Sequence, residues 1–254
     1  MLISYLKYLL KAKSAHKIHS PFVFEWYYEH LLANKNYYAL NEINSIRQTL
    51  SKSKDSIELS SLGAGIKPKR KSTVSKLLHR NSIPHKYGRI LFELSNHIQA
   101  NHILEIGTCI GISGLYLAMS RKNSNFITLE GHAPYAAFAR SLFNDCGLEH
   151  AKVIEGNFDD TLSDALSQIP ALDLVFFDGN HQYQATMSYF HACLEKKHEQ
   201  SVFVFDDLYW SREMRNAWHD IKAYPEVSVT FDFFRLGVVF FRKGIVKQDF
   251  VLKY

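Results

Sequence analysis

A chain of 254 residues, 46% of them hydrophobic and 22% charged, has enough apolar mass for one large α/β core with an appendage and is too short for two domains of usual size. Its formal charge of +5 permits acidic partners without demanding nucleic acid. Three widely spaced cysteines, Cys109, Cys146 and Cys193, contain no C-x-x-C pair. That argues against a disulfide framework or a cysteine zinc site and for free thiols in a reducing, cytoplasmic compartment.

Taken in chain order, the apolar opening from Met1 to Leu10 is broken by Lys7 and closed by Lys11 and Lys13. It lacks the basic start of a signal peptide and the length of a membrane span, and reads as an amphipathic docking helix. Residues 1–85 are aromatic-rich and read as a helical extension; Phe22, Phe24, Trp26, Tyr27 and Tyr28 are too many to leave in water. His16 and His19 are spaced to share a helix face but have no acidic third ligand beside them, so a metal site is not expected there. The polar stretch Ser51-Lys52-Ser53-Lys54-Asp55-Ser56 and the basic run Lys67-Pro68-Lys69-Arg70-Lys71 predict a mobile connection near 51–72. The basic run reads as a solvated loop ahead of a substrate-steering patch, and nucleic-acid contact is disfavoured because the aromatics nearby do not interleave with it.

Past residue 100, strands are predicted at 102–106, 125–130, 151–155, 171–178 and 201–206. Between them the pattern predicts helices at 112–120, 133–145, 160–168 and 182–196. A further helix over 213–223 carries Met214, Ala217, Trp218 and Ile221 at helical spacing, with Ser211 placed to cap it. Two closing strands, 226–234 and 236–242, are separated by almost nothing and predict an antiparallel pair at the sheet edge. The expected fold is α/β and Rossmann-like: a seven-stranded sheet, mostly parallel with a reversed last strand, and helices on both faces. The expected division is a helical N-terminal extension, 1–85, covering the active site, and a ligand-binding domain, 86–254.

The run from Ile103 to Gly114 is an apolar strand that delivers Glu105 and then a turn carrying Gly107 and Gly111, which opens a helix. Glycines there let the chain turn sharply and are expected to leave backbone N–H groups open to a ligand. The spacing is not the G-x-G-x-x-G of dinucleotide folds, and Glu105 would repel a pyrophosphate, so a zwitterion with an ammonium group such as S-adenosylmethionine fits better. Glu130 ends the second strand 23 residues after Gly107, where a carboxylate can accept from both hydroxyls of an adenosine ribose, although a nicotinamide dinucleotide would use the same device. Gly156-Asn157-Phe158-Asp159 ends the third strand; Asn157 and the Phe158 face are placed for an adenine ring, or Asp159 for capping the next helix. Asp178 ends a buried strand and Asp206-Asp207 the strand expected beside it, so three carboxylates can converge on one hard divalent cation such as Mg²⁺. His181 lies on the turn three residues beyond Asp178, and an imidazole is suited to taking a hydroxyl proton near neutral pH.

On these residues, positions 86–242 resemble the class I S-adenosylmethionine-dependent methyltransferases, and more narrowly the metal-dependent O-methyltransferases of catechol, caffeoyl-CoA and macrolide-sugar type. Glu105, Gly107, Thr108, Gly111 and Ser113 look like that family's first motif, Glu130-Gly131 like its ribose acid, and Asp178-Gly179-Asn180-His181 like its Asp-x-x-His turn. The resemblance implies a methyltransferase sheet, and Asp178, Asn157 and Phe158 in cofactor binding. It also implies a metal on Asp178, Asp206 and Asp207, with Asp178 and His181 as catalytic residues. Asp206-Asp207 matches the sugar-modifying branch, since the catechol-like branch usually has Asp-Asn. His19-Ser20-Pro21-Phe22-Val23-Phe24 and Asp206-Asp207-Leu208-Tyr209-Trp210-Ser211 look like a group of bacterial methyltransferases, and the Asp-Pro-Pro-Tyr type motif of amino-directed DNA methylation is absent.

The function expected is metal-assisted methyl transfer to a small-molecule hydroxyl, with neither nucleic acid nor a membrane span as partner and with the question of a homo-oligomer open. The rival readings are a metal-independent methyltransferase in which the same carboxylates orient the acceptor, an NAD-dependent oxidoreductase, and a non-catalytic cofactor-binding interaction protein.

Overall fold

The computed structural model describes residues 2–14, 17–33, 35–59 and 71–254. His16 and most of the basic run 67–71 lie outside the described residues. The chain divides into two compact units, one made of residues 1–36 with 171–254 and the other of 37–170. The expected boundary after residue 85 falls within the second.

The first unit begins with helix α1 (Leu2–Lys11), then α2 (Pro21–Trp26), which runs straight into a π-helical turn at Tyr27–Leu32. Pro21 is suited to the first turn of α2, where its missing N–H leaves nothing unsatisfied. The second unit continues with α3 (Tyr38–Ser51), strands β1 (Ser56–Glu58) and β2 (Lys71–Thr73), α4 (Val74–Asn81) and α5 (His85–His97). Here the extension is less purely helical than expected, because β1 and β2 form a small antiparallel pair where a loop was read. Then come β3 (His102–Ile106), α6 (Ile112–Ser120), β4 (Asn125–Glu130), α7 (Ala133–Asp145), β5 (Ala151–Glu155) and α8 (Phe158–Ser167). β3, β4 and β5 pair in parallel, in that order. α6 is buried from Ile112 to Met119, as a helix apolar on all sides must be.

The first unit resumes with β6 (Leu172–Phe177), α9 (Tyr183–Leu194), β7 (Lys197–Phe205), α10 (Arg212–Ala223), β8 (Val229–Asp232), β9 (Gly237–Phe240) and β10 (Gln248–Val251). β6 and β7 are parallel; β9 runs antiparallel to both β7 and β8, and β10 is parallel to β8. The reversed strand is thus β9, inserted between β7 and β8. The expected seven strands are all present, and β10 adds an eighth that the sequence reading missed.

The N-terminal helices are fastened to this unit's own strands. Trp26 packs against Phe231 at 5.1 Å between ring centroids, Tyr8 Oη donates to the Leu252 carbonyl at 2.6 Å, and Tyr27 Oη donates to that of Lys253. Phe24 and Tyr28, expected to need a partner surface, instead stay exposed and stack on each other. Among the described residues no helix is long and apolar enough to cross a membrane.

Candidate active site

In the unit of residues 37–170, the carboxyl ends of β3, β4 and β5 form a cradle. Beyond the Ile106/Leu129 pair, the N–H groups of Gly107 and Thr108 both donate to the Leu129 carbonyl, at 3.0 and 3.1 Å, which bends the chain over the end of β4. The Gly111 N–H donates to Thr108 O at 2.9 Å. Neither glycine N–H is therefore open to a ligand, contrary to expectation. What the glycines supply is conformation: φ is +106° at Gly107 and +84° at Gly111, and a Cβ on Gly111 would stand 3.2 Å from the Phe143 ring. Cys109 adopts φ +48° in the same turn.

Two carboxylates line this cradle. Glu105 is fully buried; Oε2 accepts from Thr128 Oγ1 at 2.6 Å, the Ser113 side chain also bonds to the carboxylate, and Oε1 has no partner. Burial raises its pKa to about 7 against the pull of the Ser113 and Thr128 bonds, with Glu130 adding a smaller upward push. Glu130 accepts from the Cys109 N–H at 2.7 Å and from the His132 N–H at 2.8 Å, one on each oxygen. Its pKa is raised by burial, against these backbone donors, the charge of His132 and the Gly131 N–H. These backbone donors do not exhaust the carboxylate's four or so lone-pair sites, so it can still accept from a ligand hydroxyl. The Thr108 hydroxyl is spent on Leu129 O and Thr128, so the side chain of this expected cofactor residue is structural. Asn157 is exposed and caps α8, its Oδ1 accepting from the Asp159 N–H at 3.3 Å; the capping role offered to Asp159 belongs to Asn157, and Phe158 is half-buried beside it.

In the unit of residues 1–36 and 171–254, parallel pairing ends at Phe177/Phe205, and the Asp206 N–H extends it by donating to Phe177 O at 3.0 Å. Asp178 and Asp206 are thereby delivered to adjoining strand ends, as the sequence predicted. His181 Nε2 stands 3.7 Å from Asp178 Oδ1 and 3.9 Å from Asp207 Oδ2. Three non-glycine residues with positive φ surround this point: Asn180 (+49°), Asp207 (+53°) and Phe234 (+70°). Such strained backbone collects where geometry serves a site.

The carboxylates converge on a side chain the sequence reading did not single out. Arg235, on the connection between β8 and β9, donates from Nε to Asp206 Oδ1 at 2.8 Å and from Nη2 to Oδ2 at 2.7 Å, and its Nη2 lies 3.7 Å from Asp207 Oδ1. Burial alone would depress the Arg235 pKa; Asp206, Asp207 and Asp178 outweigh it, so the net shift is upward. The Asp207 carboxyl is raised by burial and by Asp206, with Arg235 and His181 opposing. Asp206 is fully buried and both its oxygens are engaged. Among the described residues no group of three or more His, Cys, Asp or Glu is arranged to hold a metal. The expected site on Asp178, Asp206 and Asp207 does not fit a divalent cation as the residues stand, because Asp206 is fully buried and forked to Arg235, whose guanidinium also stands 3.7 Å from Asp207.

Residues 104–208 match the family described as Methyltransferase domain. That stretch of the chain is similar to methyltransferase domains. A stretch of 133 residues is 30% identical to the catechol O-methyltransferase of Mycobacterium tuberculosis, over 52% of this chain and 59% of that protein. A stretch of 118 residues is 25% identical to the ribosomal RNA small subunit methyltransferase G of Pasteurella multocida, over 43% of this chain and 54% of that one. The chain thus spans a little over half the length of these two relatives. The fold is shared with the O-methyltransferase of Bacillus cereus solved in complex with SAH, at a TM-score of 0.57 and 21% identity over 86% of this chain and 97% of that one. Both the Glu105–Gly111 turn and the Asp178–Asp207 span fall inside the matched residues 104–208, while Arg235 lies beyond their end.

Proposed function

We propose that this protein transfers a methyl group from S-adenosylmethionine to a hydroxyl oxygen of a small molecule. The residues of the cradle suit the cofactor: Glu130 keeps acceptor capacity for a ribose hydroxyl, and the buried Glu105, whose Oε1 has no partner, favours a positively charged ligand near it. The same carboxyl counts against a dinucleotide, whose diphosphate it would repel. Bound there, S-adenosylmethionine supplies an electrophilic methyl group on a positively charged sulfur. Of the other expected cofactor residues, Gly131, Asn157 and Phe158 border the ends of β4 and β5, and Asp178 stands with the acceptor-side cluster.

The reading of oxygen as the acceptor rests on His181, whose ring faces Asp178 and Asp207. These carboxylates hold the imidazole in place to take the hydroxyl proton. S-adenosylmethionine held beside Glu130 would offer its methyl carbon to the freed oxygen, with its sulfur taking the electron pair of the carbon–sulfur bond. Alignment supplies much of the rate, since the methyl group arrives already activated. No step is assigned to a metal, because Asp206 is fully buried and forked to the Arg235 guanidinium. Tyr5 and Tyr8 pack on Phe234, next to Arg235 in sequence, and we assign residues 1–36 the role of covering this acceptor side.

The test is methyl transfer from labelled S-adenosylmethionine to a panel of catechols and hydroxylated sugars. His181→Ala should slow transfer by roughly 10²–10⁴-fold while leaving SAH affinity unchanged. Transfer to RNA but to no small hydroxyl compound, or full activity in the His181 variant, would overturn the reading.

A further inference from the structure

Asp206, at the end of β7, and its neighbour Asp207 share one cation, and it is one of the protein's own side chains, Arg235, whose charge also acts on Asp178 at the end of β6. Arg235 does not reach them as a loose surface residue. Its backbone makes two hydrogen bonds, Arg235 N–H to Phe233 O at 2.9 Å and Leu208 N–H to Arg235 O at 3.2 Å, and a third, Phe233 N–H to Leu236 O at 2.9 Å, closes the turn that carries it. The side chain is 28% exposed, whereas that of its partner Asp206 is fully buried. The pairing is the bidentate fork in which a planar guanidinium matches both oxygens of a carboxylate, and arginine is the cation most readily accommodated in such a buried pair. A magnesium ion would need nearly octahedral oxygen ligands at about 2.0–2.1 Å and would keep several waters. A carboxylate with no exposed surface, forked to a guanidinium, leaves no room for that shell.

We propose that the Arg235 guanidinium stands in for a divalent cation beside these carboxylates, supplying one permanent positive charge where such an ion would supply two, so that the protein works without a metal. This inference rests on the reading of the Asp178–His181–Asp207 cluster as the acceptor side. Arg235 acts there as a positioning residue: it holds Asp206 and draws Asp207 and Asp178 towards a common positive charge, and those two carboxylates in turn face His181. The charge is permanent, so the cluster is assembled whatever the metal content of the surroundings.

The experiment needs neither cofactor nor acceptor. Mg²⁺ and Mn²⁺ are titrated into the full-length protein and into Arg235→Ala by calorimetry, and melting temperatures are recorded with and without Mn²⁺. The wild-type protein should show no binding and no shift in melting temperature. Arg235→Ala should gain one Mn²⁺ site per chain and a rise in melting temperature on adding Mn²⁺, and Arg235→Ala with Asp206→Asn should lose both. Arg235→Lys, which keeps a charge in place, should fold and still bind no ion at the concentration that saturates Arg235→Ala. One tight Mg²⁺ or Mn²⁺ site in the wild-type protein would overturn the proposal, and this arm holds even if Arg235→Ala fails to fold. A folded Arg235→Ala that gains no site would overturn it as well. Failure of SAH to bind would instead refute the methyltransferase reading, a result separate from any of these.

Discussion

At the scale of single residues, the carboxylates of the candidate site are the part most plainly written in the sequence. Glu105, Glu130, Asp178 and Asp206 each end or interrupt an apolar strand, so an alternating or continuous hydrophobic run locates them without knowledge of the fold. Arg235 is different. It sits in a tight connection among Phe233, Phe234 and Leu236, 29 residues after its partner Asp206, and nothing local distinguishes it from a turn residue facing water. Only the insertion of β9 between β7 and β8 brings that connection to Asp206. Positive φ explains Gly107 and Gly111, but where their N–H groups would point was not legible, because that depends on the Leu129 carbonyl of a neighbouring strand. Glu105 gives a residue-level prediction. Its folded pKa of about 7 lies above the ordinary 4.5, so the folded state favours the protonated acid. Its contribution to stability is complete below about pH 4.5 and is lost as pH rises through about 7, by about 3 kcal/mol in full. Urea unfolding of ligand-free protein at pH 5 and pH 8 should show Glu105→Gln more stable than the wild-type protein at pH 8 and nearly equal to it at pH 5. Equal stabilities at both values would remove the account of this carboxyl.

At the scale of elements, helices and buried strands were legible wherever hydrophobic periodicity is strong. α6 and α7 occupy the predicted residues, as do β3, β4 and β5. β7 begins at Lys197, four residues before the predicted start, because Lys197 pairs with Leu172 ahead of a register irregularity, and Lys197-His198-Glu199-Gln200 carries none of the apolar signal. β10 was missed for the same reason: it is a four-residue strand, Gln-Asp-Phe-Val, that reads as a tail. β1 and β2 came from stretches whose serines and lysines look like loop. The start of α10 was readable from its cap, and Ser211 Oγ does accept from the Met214 N–H at 3.0 Å. Ser211→Ala should therefore cost about 1 kcal/mol of stability, within a range of roughly 0.5–2. Denaturant unfolding measures it, and an unchanged midpoint would mean that the cap carries no weight.

At the scale of the whole molecule, the first 85 residues do not keep to one partner. Residues 1–36 fold with 171–254, fastened by Tyr8 and Tyr27 to the chain end and by Trp26 to Phe231, while residues 37–85 belong to the other compact unit. A sequence scan sees a continuous aromatic and helical segment and cannot see that it is shared out, since the division is made by contacts more than 200 residues apart in the chain. Expressed alone, residues 1–85 should show no cooperative unfolding transition in circular dichroism, and a sharp transition would make them a domain of their own. The central claim is that the cradle at Glu105 and Glu130 holds S-adenosylmethionine. Its most direct test is calorimetric titration of the full chain with SAH and with NAD, repeated on Glu130→Ala. The account predicts one SAH per chain, no binding of NAD, and affinity for SAH weakened by roughly 1–3 kcal/mol in the variant. NAD binding without SAH binding, or SAH affinity unchanged by Glu130→Ala, would contradict it.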